Sequence, residues 1–254
     1  MRFLLAGVLL LLSGMAQAAI HTETVEYQAG ETLLEGYLAY NDSVEGPLPA
    51  VLIVHEWYGL NDHSRNSARK LAELGYAAFA LDMYGKDRRT TEMEQAAAWS
   101  GEMKENPELA RERFVAALET VRAHPRVDAA KVASIGYCFG GTISLEMARA
   151  GLDLVGVVSF HGGLQSVLPE GEREIQAKVL VLHGADDPLV PNAEVEAFEE
   201  EMRQAGADWY LIAYGNAVHS FTNPEADMEA ARYNETAARR SWQAMEAFLE
   251  EVFE

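Results

Sequence analysis

The chain of 254 residues holds one cysteine, and its surroundings fit a nucleophile. Cys138 lies within Gly136-Tyr137-Cys138-Phe139-Gly140-Gly141, after the apolar run Val132-Ala133-Ser134-Ile135 and before the helical pattern Ile143, Leu145, Met147, Ala148. This reads as strand, tight turn and helix, with the thiol at the apex. It has the shape of a G-x-S-x-G nucleophile elbow with Cys in place of Ser. Such a turn forces its nucleophile into strained backbone, and side chains on the flanking glycines would collide with the neighbouring strand and helix. The Phe139 N–H opens the helix and can donate to a developing oxyanion. The plainer reading is a small buried core residue, the commonest fate of a free cysteine.

A thiol is largely protonated at neutral pH, so a catalytic one needs a base, and the base needs an orienting acid. The α/β-hydrolase chain order is nucleophile, acid, histidine. Here Cys138, Asp187 and His219 follow that order, each in a loop after a strand-like run. Of the seven histidines only His219 comes after both the elbow and the acidic loop. Asp186 stands beside Asp187, and either could instead brace the turn. Glu56 follows the buried run Ala50–His55, where the first oxyanion-hole loop belongs. A carboxylate there could hold the thiol protonated at rest or take its proton; it could equally pair with a basic residue as a loop brace. The Trp57 N–H is the candidate second oxyanion donor, beside Phe139.

The elements that must position these groups alternate along the chain. Thr22–Tyr27 and Thr32–Tyr40 read as strands joined at Ala29-Gly30, and Ala50–His55 as a strand buried on both faces. Asn61 or Asp62 caps a helix that ends at Gly75, and the strand Tyr76–Leu81 follows. Helices are expected at about 91–104 and 107–124, strands at 154–160, 178–183 and 208–214, a helix at 192–205, and a last helix from about Asp227–Ala231 to Val252. Strands and helices alternating at this spacing imply a mostly parallel central sheet with helices on both faces. In such sheets the site lies beyond the carboxyl ends of the strands, where every polar residue named above falls.

Composition sets the remaining bounds. Met1-Arg2, the apolar run Phe3–Leu12 and Ala16-Gln17-Ala18 read as a secretory signal over residues 1–18, which leaves 19–254 as one domain. No later run is apolar enough to span a membrane. Export gives the lone cysteine meaning, because exported cysteines usually pair and an unpaired one is a liability unless buried or used. The formal charge is −20, or −21 once Arg2 is removed with the signal. That charge disfavours nucleic acid and anionic lipid as partners. No metal-spaced Cys/His cluster or glycine-rich dinucleotide loop appears, so no metal or organic cofactor is expected.

At these residues the chain resembles the dienelactone hydrolase family. The likeness covers nearly all of the mature chain. It rests on Val54-His55-Glu56-Trp57-Tyr58-Gly59-Leu60, Leu81–Gly85, Gly136–Gly141, Gly184–Pro191 and His219-Ser220-Phe221. The resemblance implies an α/β-hydrolase fold, hydrolysis of lactones and related esters, Asp187 rather than Asp186 as the acid, and contact between Glu56 and the nucleophile. Family members acting on dienelactone hold a substrate carboxylate with two arginines. The matching positions here are Lys86, after Tyr84-Gly85, and Asn223, so that clamp is half kept at best. Tyr84, Lys86 and Asn223 are the implied substrate contacts.

The expectation is a periplasmic or secreted cysteine hydrolase of a small-molecule ester or lactone, working through an acyl-thioester on Cys138, with oligomeric state open. Two alternatives stand beside it. One is a non-catalytic binding protein on a hydrolase scaffold. The other is a thiol redox protein, which would need an external reductant because there is no resolving cysteine.

Overall fold

The structure, a computed structural model, describes residues 20–169, 171 and 173–254. The expected signal segment 1–18 lies outside the described residues. Eight strands form one sheet in the order β1-β2-β4-β3-β5-β6-β7-β8. The strands are β1 (Ile20–Ala29), β2 (Thr32–Asn41), β3 (Leu48–Val54), β4 (Ala77–Leu81), β5 (Val127–Tyr137), β6 (Gly156–Phe160), β7 (Lys178–Gly184) and β8 (Trp209–Tyr214). The hairpin β1–β2 is antiparallel and β2 joins β4 antiparallel; every other pairing is parallel.

Helices cover both faces, as the alternating sequence requires. Along β3, Ala50, Leu52 and Val54 face one apolar layer, while Val51 and Ile53 face the other. The first layer is closed by α2 (Met93–Glu105), α3 (Pro107–Arg122), α4 (Phe139–Arg149) and α5 (Asn192–Ala205), through residues such as Met103, Phe114, Ile143 and Phe198. The second is closed by α1 (Asp62–Glu73) and α6 (Glu235–Phe253), through Leu71, Met245 and Leu249. Because both faces are covered, the central strands are apolar throughout rather than alternating with polar residues. Among the described residues, no helix is long and apolar enough to cross a membrane.

Strand register is what gathers the site. Leu81, Val54, Gly136, Ser159, Val181 and Leu211 form one row across the six parallel strands. Just beyond this row the strands give way to loops, so loops far apart in sequence leave the sheet at nearly the same height. That edge is the carboxyl end of the parallel strands.

The last helix differs from the expectation. It starts at Glu235, not near Asp227–Ala231. The Asn234 side chain accepts the Ala237 N–H at 3.0 Å and caps it there. Residues before the cap are drawn into a loop that pairs His219 with Ala231 and Asp227 with Arg232. A helix begun earlier would abolish those pairings, which brace the loop carrying His219.

Candidate active site

Cys138 stands between β5 and α4 with φ 54° and ψ −118°, left-handed backbone that a non-glycine residue rarely adopts. Two glycines make the turn possible. A Cβ on Gly136 would lie 2.0 Å from the Gly140 carbonyl oxygen. A Cβ on Gly140 would lie 2.2 Å from the Val54 carbonyl oxygen, so α4 seats directly on the β3 backbone. The Cys138 N–H is shared between the Phe160 carbonyl at 2.9 Å and His161 Nδ1 at 3.1 Å. Cys138 is unpaired and partly exposed.

His219 lies in the loop after β8, and its Nδ1 meets Asp187 Oδ2 at 2.8 Å. The other carboxylate oxygen of Asp187 accepts the Leu189 N–H at 2.8 Å, which fixes the rotamer. Asp187 is buried while Asp186 faces solvent, so the acid next to His219 is Asp187. His219 Nε2 is the ring atom that Asp187 leaves free, and Cys138 is close enough to act on the charge of the ring. Burial opposes a charge on His219, but the anionic form of the Cys138 sulfur and the Asp187 carboxylate outweigh it and raise the pKa to about 10.

Glu56, at the end of β3, is 2 % exposed. Burial raises its pKa to about 7, against the lowering effect of hydrogen bonds from Asn223 and Ser220 and of the nearby His219. Asn223 Nδ2 donates to Glu56 Oε2 at 2.6 Å. Asn223 follows His219 by four residues, so one loop carries the base and holds the carboxyl.

The sequence-predicted substrate contacts separate in the structure. Tyr84 is buried against the His55 and Phe139 rings, and its hydroxyl donates to the Trp57 carbonyl at 3.1 Å. Burial first, then the negative charges of Cys138 and Asp82, push its pKa far up, so it remains a neutral phenol. Asn223 lines the cleft but spends its amide on Glu56. Lys86 is not brought to the cleft. The turn at Gly85 (φ 131°) carries the chain back to β2, where the Lys86 N–H bonds the Leu33 carbonyl, and its ammonium pairs with Glu26 on β1. Among the described residues, neither the Trp57 nor the Phe139 N–H donates to another protein group. Next to Glu56 opens a cavity of about 650 Å³ whose wall includes Trp57, Tyr58, Arg89, Asn223 and Met228.

Three groups escaped the sequence reading. His55 is fully buried; its Nδ1 bonds the Glu56 carbonyl at 2.5 Å and its Nε2 accepts the Met83 N–H at 3.2 Å, tying the β3 and β4 loops together. His161 sits behind Cys138 and bonds Thr222. Arg89 is the cation of the cavity wall, held 3.9 Å from both Glu35 and Asp87. Their only sequence signal is position: His55 and His161 follow buried strands, and Arg89 follows β4 by eight residues.

Known proteins resemble this chain over most of its length. The model of the dienelactone hydrolase family matches residues 34–253. The solved structure of m3DLH is 42 % identical, covers 93 % of this chain and all of its own, and superposes with a TM-score of 0.88. A dienelactone-hydrolase-like promiscuous phosphotriesterase from metagenomic libraries is 40 % identical with the same coverage and TM-score. A Yersinia pestis protein assigned as a carboxymethylenebutenolidase is 29 % identical over 233 residues, 87 % of this chain and 84 % of its own. The chain belongs to the dienelactone hydrolase family, and with it to the hydrolases of ester and lactone bonds.

Proposed function

We propose that the protein hydrolyses small, uncharged esters or lactones through an acyl-thioester on Cys138. The observation that carries this reading is the Asp187–His219 hydrogen bond at 2.8 Å, near Cys138 on its strained turn. His219 takes the thiol proton, and the sulfur attacks the carbonyl carbon. The carbonyl electron pair moves to oxygen, where the Phe139 and Trp57 N–H groups receive it. Collapse expels the alcohol, which takes the proton from His219. Water, deprotonated by His219, then attacks the thioester and releases the acid and the thiol. Glu56 modulates this cycle. Neutral below about pH 7, it places no charge against the thiolate; ionised above it, it adds one.

The substrate carries no carboxylate in this reading. Lys86 pairs with Glu26, Asn223 with Glu56, and Arg89 already faces two acids. The likeness to a promiscuous phosphotriesterase supports a second, related activity, in which the same sulfur attacks phosphorus in an uncharged phosphotriester, one P–O bond breaks to release an alcohol that takes the proton from His219, and water then cleaves the P–S bond. The positive start Met1-Arg2, the apolar run Phe3–Leu12 and the small-residue pattern Ala16-Gln17-Ala18 support an exported protein, which the mass of the mature chain from cells tests directly.

The test is a panel of aryl esters, neutral lactones and one phosphotriester. Wild-type protein should turn over members of the panel, while Cys138→Ala and His219→Ala lose at least about a thousandfold in kcat/KM. Full turnover surviving in Cys138→Ala contradicts the reading.

A further inference from the structure

His161 is a second histidine at the nucleophile, and acyl transfer by Cys138, His219 and Asp187 gives it no role. It is 1 % exposed and sits at the end of β6 with φ 42°. The hydrogen bonds decide its tautomer. The Cys138 N–H can only donate, so Nδ1 at 3.1 Å must present a lone pair. The proton then resides on Nε2, which donates to Thr222 Oγ1 at 2.7 Å. Burial first, then the charge of His219, hold its pKa well below the usual range. A neutral imidazole with one fixed tautomer results.

This ring spans two separate parts of the site. One end grips the turn that carries the nucleophile. The other grips Thr222, three residues past the base and next to Asn223, which bonds Glu56. The ring also packs edge-on against His219, with centroids 5.3 Å apart, and against Phe221 at 5.1 Å. Satisfying the Cys138 N–H does not require His161, because the Phe160 carbonyl already accepts it at 2.9 Å. Filling the space does not require it either, since an apolar ring would do so without burying two polar nitrogens. What only a two-ended hydrogen-bonding ring supplies is a fixed distance between elbow and base loop.

We propose that His161, together with Thr222, is a positioning residue that holds the Cys138 turn in register with the His219 loop and so sets the sulfur–imidazole geometry. This rests on the reading of Cys138 and His219 as nucleophile and base. A neighbouring imidazole held neutral also neither competes for the thiol proton nor repels the imidazolium that forms on His219.

Two variants test it: Thr222→Val, which is nearly isosteric and removes the acceptor, and His161→Phe, which keeps a ring and removes both bonds. The readouts are the burst rate constant with p-nitrophenyl acetate, its KM, and the pH dependence of Cys138 alkylation by iodoacetamide. Each variant should lower the burst rate about tenfold or more while KM stays within about twofold, as expected when reacting groups are misplaced but binding is intact. The alkylation midpoint should rise by about one pH unit as the imidazolium moves away from the sulfur. The double variant should be no slower than His161→Phe alone, because both changes cut one bridge. Wild-type burst rates and an unmoved alkylation midpoint in Thr222→Val overturn the proposal, and so do additive losses in the double variant. If His161→Phe fails to fold, Thr222→Val decides alone. If wild-type protein is never acylated, the hydrolase reading fails, while the alkylation midpoint still decides for or against the bridge.

Discussion

Glu56 illustrates how strongly one side chain depends on its surroundings here. Its folded pKa of about 7 lies above the ordinary 4.5 because burial penalises the anion. Between those two values the native state keeps a proton that the unfolded chain has released. Stability therefore falls as pH rises through that window, by an upper limit of about 3 kcal/mol. Glu56→Gln should remove this component. Urea unfolding at pH 5 and pH 8 should show wild type losing more stability than the variant; equal losses contradict the assignment. The placing of Cys138 and His219 at strand ends was legible because chain order restricts where a triad can lie, whereas Asp187 was separated from Asp186, and Glu56 linked to the nucleophile, only through the family resemblance. Lys86 was not, since its direction depends on a Gly85 turn and on Glu26, sixty residues away. His161 was not, since its meaning comes from a bond to Thr222 across sixty-one residues.

Elements hold the nucleophile through close backbone contact. Gly140→Ala would press a methyl group to 2.2 Å from the Val54 carbonyl oxygen, and neither backbone can yield without moving α4 off β3. The expected loss is about 3 kcal/mol or more in urea unfolding, with activity lost even where the protein still folds. The far end of α4 is anchored by Arg149, 1 % exposed, which bonds Glu146, Glu201 and the Leu164 carbonyl. Arg149→Ala removes the only cation on the buried Glu146 among the described residues, while Glu201 keeps Arg173, and should cost about 3 kcal/mol, seen as a lower urea midpoint; a loss below about 1 kcal/mol would show that the network is solvated. Most elements could be read from apolar runs, caps and glycines. The start of α6 could not. Apolar periodicity extends through the segment before it, but loop pairings with His219 and the Asn234 cap claim that backbone instead.

For the whole molecule, alternation of strands and helices made a parallel sheet legible, and the chemistry at its carboxyl edge followed. The order of strands, the register row and the shape of the cavity depend on long-range packing that no local pattern records. Charge acts at this scale as well. The chain carries −20, and Glu225 and Asp227 belong to the cavity wall, where Arg89 is the opposing cation. An ester bearing a carboxylate should therefore show a kcat/KM about tenfold below that of a neutral ester of the same size at low ionic strength, the gap narrowing in 0.5 M salt as screening sets in. Equal values at low salt would remove charge as a selector.

The central claim is an acyl-thioester on Cys138, and intact-mass spectrometry during reaction with p-nitrophenyl acetate tests it most directly. The account predicts one acetyl adduct per chain, located on Cys138, formed in a burst, lost with turnover, and absent in His219→Ala. Turnover with no adduct on Cys138, or an adduct that forms equally well without His219, would contradict it.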